Sequence, residues 1–450
     1  MYYEFENITK FLYEKRILIA GFGREGKSTL NFILKYVKNA IVTIGDEKDF
    51  NFGDEFAGVQ VSKLTGKDFL GNPDDFDIMI KSPGIALKNI PEEWKKTNKI
   101  SSQTDLLLRF FYKQVIGITG TKGKSTTSTL IHHLLVNNGI PAILAGNMGL
   151  PFFDYLLDAE NKKIVAELSS HQLEIINKSP AISVLLNIFP EHLDHYNDFN
   201  DYAKAKWNIG IYQQAENQFF IPYEWVGKEW QNFQTLCKSY LNWFDFKNDK
   251  LIVGYNNDFI EEKIDLNKMP LKGRHNLKNC AAALGVAIKS GIDINDAIRS
   301  LFTFKPLPHR LEFIAEVNGI TYINDSISTI PQSAIAALEA FPQSDTIILG
   351  GFNRGIDYTD LCEYLLNSSV GNVILMGEVG KIIGSAIENI KSDKKIFYVD
   401  SMSAAVETAS QNTAKNKICL LSPAAASYDK YINFEYRGND FRKCVMDLMQ

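Results

Sequence analysis

Cysteine is scarce in this chain. Five residues (Cys237, Cys280, Cys362, Cys419 and Cys444) are scattered through 450, and none forms a C-x-x-C pair. The odd number and wide spacing argue against a disulfide framework and a cysteine zinc site, so reduced thiols in the cytoplasm are expected. No apolar run approaches the length that crosses a bilayer, which argues against a membrane partner. A basic excess is also missing: the formal net charge is -5, whereas nucleic-acid binders usually carry a basic face. The opening stretch, MYYEFENITKFLYEKR, mixes acids, bases and aromatics and lacks the apolar centre of a signal peptide. There is no internal repeat and no low-complexity tract.

What is present is an ordinary globular composition, 45% hydrophobic and 22% charged, in a chain too long for one core. Short β-branched runs alternate with helix-like segments. They predict strands at 16–20, 41–45, 77–80, 114–119, 163–167, 182–187, 320–324, 345–349, 372–376, 396–399 and 417–421. Most of these runs are apolar throughout, as strands buried on both faces are, which predicts parallel sheets covered by helices. Three blocks separate at about residue 110 and at the two prolines of FKPLPHR, 304–310. Residues 214–270 are rich in aromatics but lack a clear period, and their topology is not legible.

Two glycine loops compete for a nucleotide. GFGREGKST, 21–29, follows an apolar strand and fits the phosphate-loop spacing G-x-x-x-x-G-K-[ST]. It is also G-x-G-x-x-G, and a second strand ends at Asp46 about twenty residues past the loop, the layout of a βαβ dinucleotide-type site. Its bland reading is a plain strand–helix turn with Lys27 in solvent. The second loop, GITGTKGKST at 117–126, has one residue too many for the phosphate-loop spacing but better company. A triphosphate site needs a lysine, a hydroxyl for Mg²⁺ and acids from neighbouring strand ends. Lys124 and Ser125 supply the first two. The strand KIVAEL ends at Glu167, the next leads into PEHLDH with His192 and Asp194, and Lys206 follows on a predicted helix. Each residue alone has a bland reading as a surface acid, a loop histidine or a helix lysine; together they converge.

With the two loops, a dozen stretches in order resemble the Mur ligases, over nearly the whole chain. They include KSPGI (81–85), GNMGLP (146–151), ELSSHQLE (167–174), NIFPEHLDHY (187–196), YAKAK (202–206), GRHNLKN (273–279), LPHR (307–310), NDSISTIP (324–331), GGFNRGIDY (350–358) and LSPAAASYDKYINFEYRGNDF (421–441). Ser82-Pro83-Gly84, ELSSHQLE and LSPAAAS favour the D-glutamate-adding branch.

The resemblance implies an α/β protein of three domains. A Rossmann-like domain (1–110) binds the UDP substrate, a central P-loop ATPase-type parallel-sheet domain (111–306) binds ATP, and a Rossmann-like C-terminal domain (307–450) receives the amino acid. It implies ATP-dependent amide formation between UDP-N-acetylmuramoyl-L-alanine and D-glutamate through an acyl phosphate, in cytoplasmic peptidoglycan precursor synthesis by a monomer.

The ATP loop is then Gly120, Thr121, Lys122, Gly123, Lys124, Ser125 and Thr126. Asn279 is implied on the adenine side, and Arg310 and Asp325 at phosphate and ribose. Ser125, Glu167, His192 and Lys206 are the implied Mg²⁺ ligands for two ions, Lys206 as a carbamate; Lys124, Glu167, His192 and Lys206 are the catalytic set. The UDP substrate is assigned Gly23, Arg24, Glu25, Asp46, Ser82, Pro83, Gly84, Asn147, Ser169 and Gln172. D-Glutamate is assigned Thr329, Arg354, Ser427, Tyr428 and Phe434.

Several positions depart from the family pattern: Lys122 for a usual Asn, His171 for an aromatic, Glu191 for Asp, Arg354 where some members have Lys, and Ile327 for a frequent lysine. Two other readings stay open, a related ligase such as folylpolyglutamate synthase and a non-catalytic nucleotide-binding regulator.

Overall fold

Three sheets account for the strand-like runs. The computed structural model describes residues 3–52, 56, 61–146, 151–191, 195–226, 237–255, 258–390 and 392–449. The first sheet contains β1 (Arg16–Ala20), β2 (Ile41–Asp46), β3 (Ser62–Thr65), β4 (Ile78–Lys81) and β5 (Ile100–Ser101), all parallel, in the order β3-β2-β1-β4-β5. The chain runs outward from β1 to β3, then returns to the other side of β1 as β4. That reversal opens a crevice beyond the carboxyl ends of β1 and β4, where open α/β sheets hold ligands. The loop 21–25 and the turn 82–85 therefore lie side by side.

The second sheet contains β6 (Val115–Thr119), β7 (Ala142–Gly146), β8 (Lys163–Glu167), β9 (Ile182–Leu185), β10 (Gln218–Pro222), β11 (Tyr240–Lys247), β12 (Lys250–Tyr255) and β13 (Asp258–Lys263). Their order is β13-β12-β11-β10-β9-β6-β8-β7. β6 sits between β8 and β9 in parallel register, so residues 120, 167 and 186 leave the sheet at one edge. The illegible segment 214–270 turns out to supply β10 and the antiparallel β11-β12-β13 meander, while 227–236 and 256–257 lie outside the described residues. In β11 the side chains of Asn242, Phe244 and Phe246 are buried in alternation. Trp243 lies over Gly254 so closely that a Cβ there would fall 1.9 Å from the indole. The meander is antiparallel, as strands joined by short connections rather than crossover helices are.

The third sheet contains β14 (Glu312–Val317), β15 (Ile320–Asn324), β16 (Ser344–Gly350), β17 (Asn372–Met376), β18 (Lys395–Tyr398) and β19 (Lys417–Leu421). Its order is β14-β15-β19-β16-β17-β18, with only β14 antiparallel. β19 returns between β15 and β16, so the loops after these three strands meet at one end.

By contacts the chain forms two compact units, Met1–Asp265 with Lys278–Thr303, and Leu266–Leu277 with Phe304–Gln450. The first two sheets share one unit because their cores are continuous. Ile17 and Ile33 of the first sheet's layers belong to the same buried apolar cluster as Leu107, Phe152, Ala166 and Phe219. Helix Gln103–Phe111 fastens them further: Gln103 Nε2 donates to Glu25 O, Ser28 Oγ and Thr29 Oγ1 at 3.0, 3.2 and 2.9 Å. All five cysteines are free thiols. Among the described residues no helix is long and apolar enough to cross a membrane.

Candidate active site

β6 delivers its chain into a loop that only glycine can build. Gly120 has φ +158° and Gly123 φ +88°, and a Cβ on Gly123 would lie 2.9 Å from Asn279 Oδ1. Helix Lys124–Asn137 starts directly after Gly123, so its first amide donors face the loop, the arrangement that favours a bound anion. Asn187, just past β9, braces the loop from below. It accepts from Lys122 N through Oδ1 at 2.8 Å and donates to Lys122 O through Nδ2 at 3.0 Å. Thr121 Oγ1 is 2.9 Å from the Tyr202 hydroxyl and accepts from Phe189 N at 2.9 Å. Lys122 points away to an ion pair with Glu191 at 2.9 Å.

The side chains of Lys124, Lys206 and Glu167 converge on this loop. Lys124 Nζ donates to Gly120 O at 2.9 Å and to Thr121 O at 3.1 Å. Lys206, only 2% exposed on helix Phe199–Ile211, donates from Nζ to the same Gly120 O at 2.9 Å. Burial drives the Lys206 pKa well below the usual lysine range, and the nearby charge of Lys124 adds to it. Glu167, the last residue of β8, is 2% exposed. Ser125 and Thr126 occupy the first turn of the helix, with Thr126 buried. Asn279 closes the far side of Gly123. His192 and Asp194 lie outside the described residues. Among the described residues, no group of three or more His, Cys, Asp or Glu forms a metal cluster by itself.

The 21–26 loop is built differently. Gly21 has φ +90°, and a Cβ on Gly26 would fall 2.0 Å from Gly21 O, so strand and helix meet only through glycine. Asp46 spends both oxygens on backbone, accepting from Phe22 N at 2.8 Å and Lys48 N at 3.0 Å. Lys27 lies over the Phe22 ring, 5.7 Å from its centroid. Gly23 and Arg24 are exposed. Ser82 Oγ donates to Gly21 O at 3.1 Å; Pro83 is half-buried and Gly84 exposed beside it. Glu25 accepts from Gln172 Nε2 at 3.2 Å, and burial raises its pKa to about 7. Ser169 caps the short helix Ser170–Leu173 in a reciprocal capping box with Gln172. One segment, 167–172, thus carries Glu167 at the ATP-type loop and Gln172 at the other loop. Asn147 lies outside the described residues.

In the second unit, Thr329, Arg354, Ser427, Tyr428 and Phe434 line one cavity of about 430 Å³, with Ile327 in its wall. Arg354 Nη2 donates to Thr329 O at 2.8 Å, which holds the guanidinium over the opening. Arg437 is buried behind it, donating to Ser326 O at 2.8 Å and Ala425 O at 3.0 Å, and so ties two walls together. Asp325 is buried. Its Oδ1 accepts from Leu311 N at 3.2 Å, and its Oδ2 accepts from the hydroxyls of Ser328 and Ser422 at 2.5 and 2.8 Å. Burial raises its pKa to about 6. Arg310 is half-buried. Sequence reasoning missed the buried contacts of Glu174 with Lys81 and His195, although the three residues lie in the stretches ELSSHQLE, KSPGI and NIFPEHLDHY.

Comparisons with known proteins agree with this arrangement. Residues 118–287 match the Mur ligase middle domain, and residues 309–425 match the Mur ligase glutamate ligase domain. The chain is 33% identical over 464 residues to the UDP-N-acetylmuramoylalanine--D-glutamate ligase of Clostridium botulinum (strain Hall), covering 99% of both chains. It is 32% identical to the enzyme of the same name from Clostridium kluyveri, again covering 99% of both. Among solved structures, MurF from Acinetobacter baumannii is similar in fold at TM-score 0.60 and 15% identity, covering 100% of this chain and 98% of that one. The UDP-N-acetylmuramate-alanine ligase MurC of Thermotoga maritima is similar at TM-score 0.56 and 17% identity, covering 96% and 99%.

Proposed function

Since the chain belongs to the Mur ligase family, we propose that it joins D-glutamate to UDP-N-acetylmuramoyl-L-alanine with consumption of ATP, in peptidoglycan precursor synthesis. The observation that carries this is the 33% identity extending over 99% of both chains. Family membership brings ATP and Mg²⁺ with it. In our reading the 1–110 portion holds the UDP substrate, 111–306 the ATP and 307–450 the amino acid, and the protein works as a cytoplasmic monomer.

A carboxylate does not acylate an amine at neutral pH, because oxide is a poor leaving group. In the proposed reaction an oxygen of the alanyl carboxylate attacks the γ-phosphorus and ADP departs. The amine of D-glutamate then attacks the acyl carbon, loses a proton, and phosphate leaves. Phosphoryl transfer of this kind rests on positioning and on neutralised charge.

The residues present fit that task. Gly120 and Gly123 leave room where a Cβ would intrude, and the helix start at Lys124 supplies amide donors. Lys124 neutralises the β- and γ-phosphates once its ammonium swings from the Gly120 and Thr121 carbonyls to phosphate oxygen. Ser125, Glu167, His192 and a carbamylated Lys206 are the residues that would hold Mg²⁺. Bound there, Mg²⁺ would supply charge neutralisation for phosphoryl transfer. A buried amine of depressed pKa is the form of lysine that adds to carbon dioxide, which supports the carbamate. Asn279, beside Gly123, is the residue we assign to adenine, and Arg310 and Asp325 are assigned to the nucleotide by the family pattern. Gly23, Arg24, Glu25, Asp46, Ser82, Pro83, Gly84, Asn147, Ser169 and Gln172 bind the UDP substrate. Arg354 grips a carboxylate of D-glutamate, with Thr329, Ser427, Tyr428 and Phe434 around it.

The test is ATP turnover in the presence of UDP-N-acetylmuramoyl-L-alanine, with and without D-glutamate. Turnover dependent on both is expected. Turnover that answers to a pterin acceptor, or to neither substrate, would overturn the proposal.

A further inference from the structure

β4 ends on a lysine with almost no access to water. The Lys81 side chain is 1% exposed, and its partner Glu174 is 5% exposed. Removing an ammonium from water is costly unless each of its hydrogens finds an acceptor, so the acceptors define its role. The shortest contact is to backbone: Nζ donates to Ile85 O at 2.6 Å. Ser82 O lies at 3.4 Å and Glu174 Oε2 at 3.5 Å. Burial lowers the Lys81 pKa while Glu174 opposes the shift. The other oxygen of Glu174 is 2.6 Å from His195 Nε2.

These acceptors belong to the two ends of one turn and to a neighbouring segment. Ile85 N donates to Ser82 O at 3.2 Å, closing the turn 82–85, and Lys81 clamps both carbonyls from inside. The turn in turn abuts the 21–26 loop. Ser82 N donates to Ala20 O at 2.8 Å, and a Cβ on Gly21 would lie 3.0 Å from Ser82 Cβ. Glu174 stands two residues after Gln172, which donates to Glu25 of the same loop. One ammonium therefore joins the turn 82–85 to the segment that also reaches the 21–26 loop.

We propose that Lys81 is a positioning residue for the UDP substrate. It holds the turn Ser82–Ile85 at the depth where the turn walls the 21–26 loop, and through Glu174 it sets that turn against Ser169 and Gln172. This rests on the reading of the 21–26 loop as the cradle of the UDP diphosphate. A purely structural ion pair would bring its closest contact to a carboxylate; here the closest contact is the carbonyl that shapes the turn. Methionine matches the length of the lysine stem but cannot donate, so it removes the clamp while filling the space.

The experiment compares Lys81→Met with the double variant Lys81→Met/Glu174→Gln, in which no carboxylate is left buried without its cation. Steady-state kinetics are run with UDP-N-acetylmuramoyl-L-alanine varied at saturating ATP and D-glutamate, then with ATP varied. In both variants the KM for the UDP substrate rises about tenfold or more, while kcat and the KM for ATP stay within about threefold. The melting temperature falls in the single variant and recovers in the double one, but the KM does not recover. A double variant with the wild-type KM for the UDP substrate, or a pair of variants that fail to fold, would assign Lys81 to stability alone and overturn the proposal. A wild-type protein whose ATP turnover ignores the UDP substrate would instead overturn the functional reading on which it rests, a distinct result.

Discussion

Lys124 and Lys206 direct their side-chain nitrogens at one atom, the carbonyl oxygen of Gly120, each at 2.9 Å. Two ammonium groups sharing one acceptor repel each other, and the buried member yields. Burial lowers the Lys206 pKa well below the usual lysine range, and the charge of Lys124 adds to the shift.

Lys206→Ala should lower ATP-driven ligation by about 100-fold or more while ATP binding changes by no more than about threefold, because Lys124 and the helix start remain. Acetate, which can occupy the vacated position as a carboxylate, should restore part of the rate. Wild-type enzyme freed of carbon dioxide should lose activity and regain it with bicarbonate. Normal turnover in the alanine variant and no response to carbon dioxide would leave Lys206 a plain buried lysine.

The two glycine loops should separate by substrate. Lys124→Ala removes the loop's cation and should abolish turnover. Lys27, held over the Phe22 ring, has no such duty toward ATP, and Lys27→Ala should leave ATP affinity unchanged and at most raise the KM for the UDP substrate. Titration of each variant with an ATP analogue checks this; loss of ATP binding in the Lys27 variant alone would reverse the assignment.

Arg354 should set the KM for D-glutamate. Its guanidinium is fixed by Thr329 O, so two further donors can face a carboxylate. Arg354→Met should raise that KM on the order of 10–100-fold, and Arg354→Lys less, since lysine keeps the charge but not the planar fork. Equal effects on the KM for ATP would argue for a general disturbance of the cavity.

Glu25 gives stability a pH dependence. Its carboxyl is raised from 4.5 to about 7 by burial. The folded state therefore holds a proton that the unfolded chain has released between these values. The stabilisation is complete below about pH 4.5 and is lost as pH rises through about 7. Glu25→Gln keeps an acceptor for Gln172 and removes the cost of ionisation. It should stabilise the protein above about pH 7 by no more than about 3 kcal/mol and change little near pH 4.5. Urea denaturation across that range measures it. A constant difference between variant and wild type at every pH would contradict the buried carboxyl.

Much of the fold was legible because parallel strands buried on both faces read as bare apolar runs. Runs at 16–20, 163–167, 320–324, 372–376 and 417–421 are strands with those limits. The meander β11-β12-β13 was not legible: Trp243 packs on Gly254 across a hairpin, so its aromatics answer to a neighbour across the sheet rather than to a local period. β14 escaped for a related reason, since its Phe313 is 62% exposed on an edge strand and blurs the apolar signal.

The sequence by itself determined the chemistry on offer: two glycine loops and the residues Lys124, Ser125, Glu167, Lys206 and Arg354. Those are properties of residue type and local spacing, which a chain carries before it folds. Only the tertiary structure decided who meets whom. Strand order brings the ends of β6, β8 and β9 to one edge, and the return of β19 between β15 and β16 brings Thr329, Arg354 and Ser427 to one cavity. It also buries Lys206 on the Gly120 carbonyl and Lys81 beneath the turn 82–85. Burial lowers the pKa of both lysines and long-range pairing sets their aim, and neither is written in the spacing of neighbouring residues.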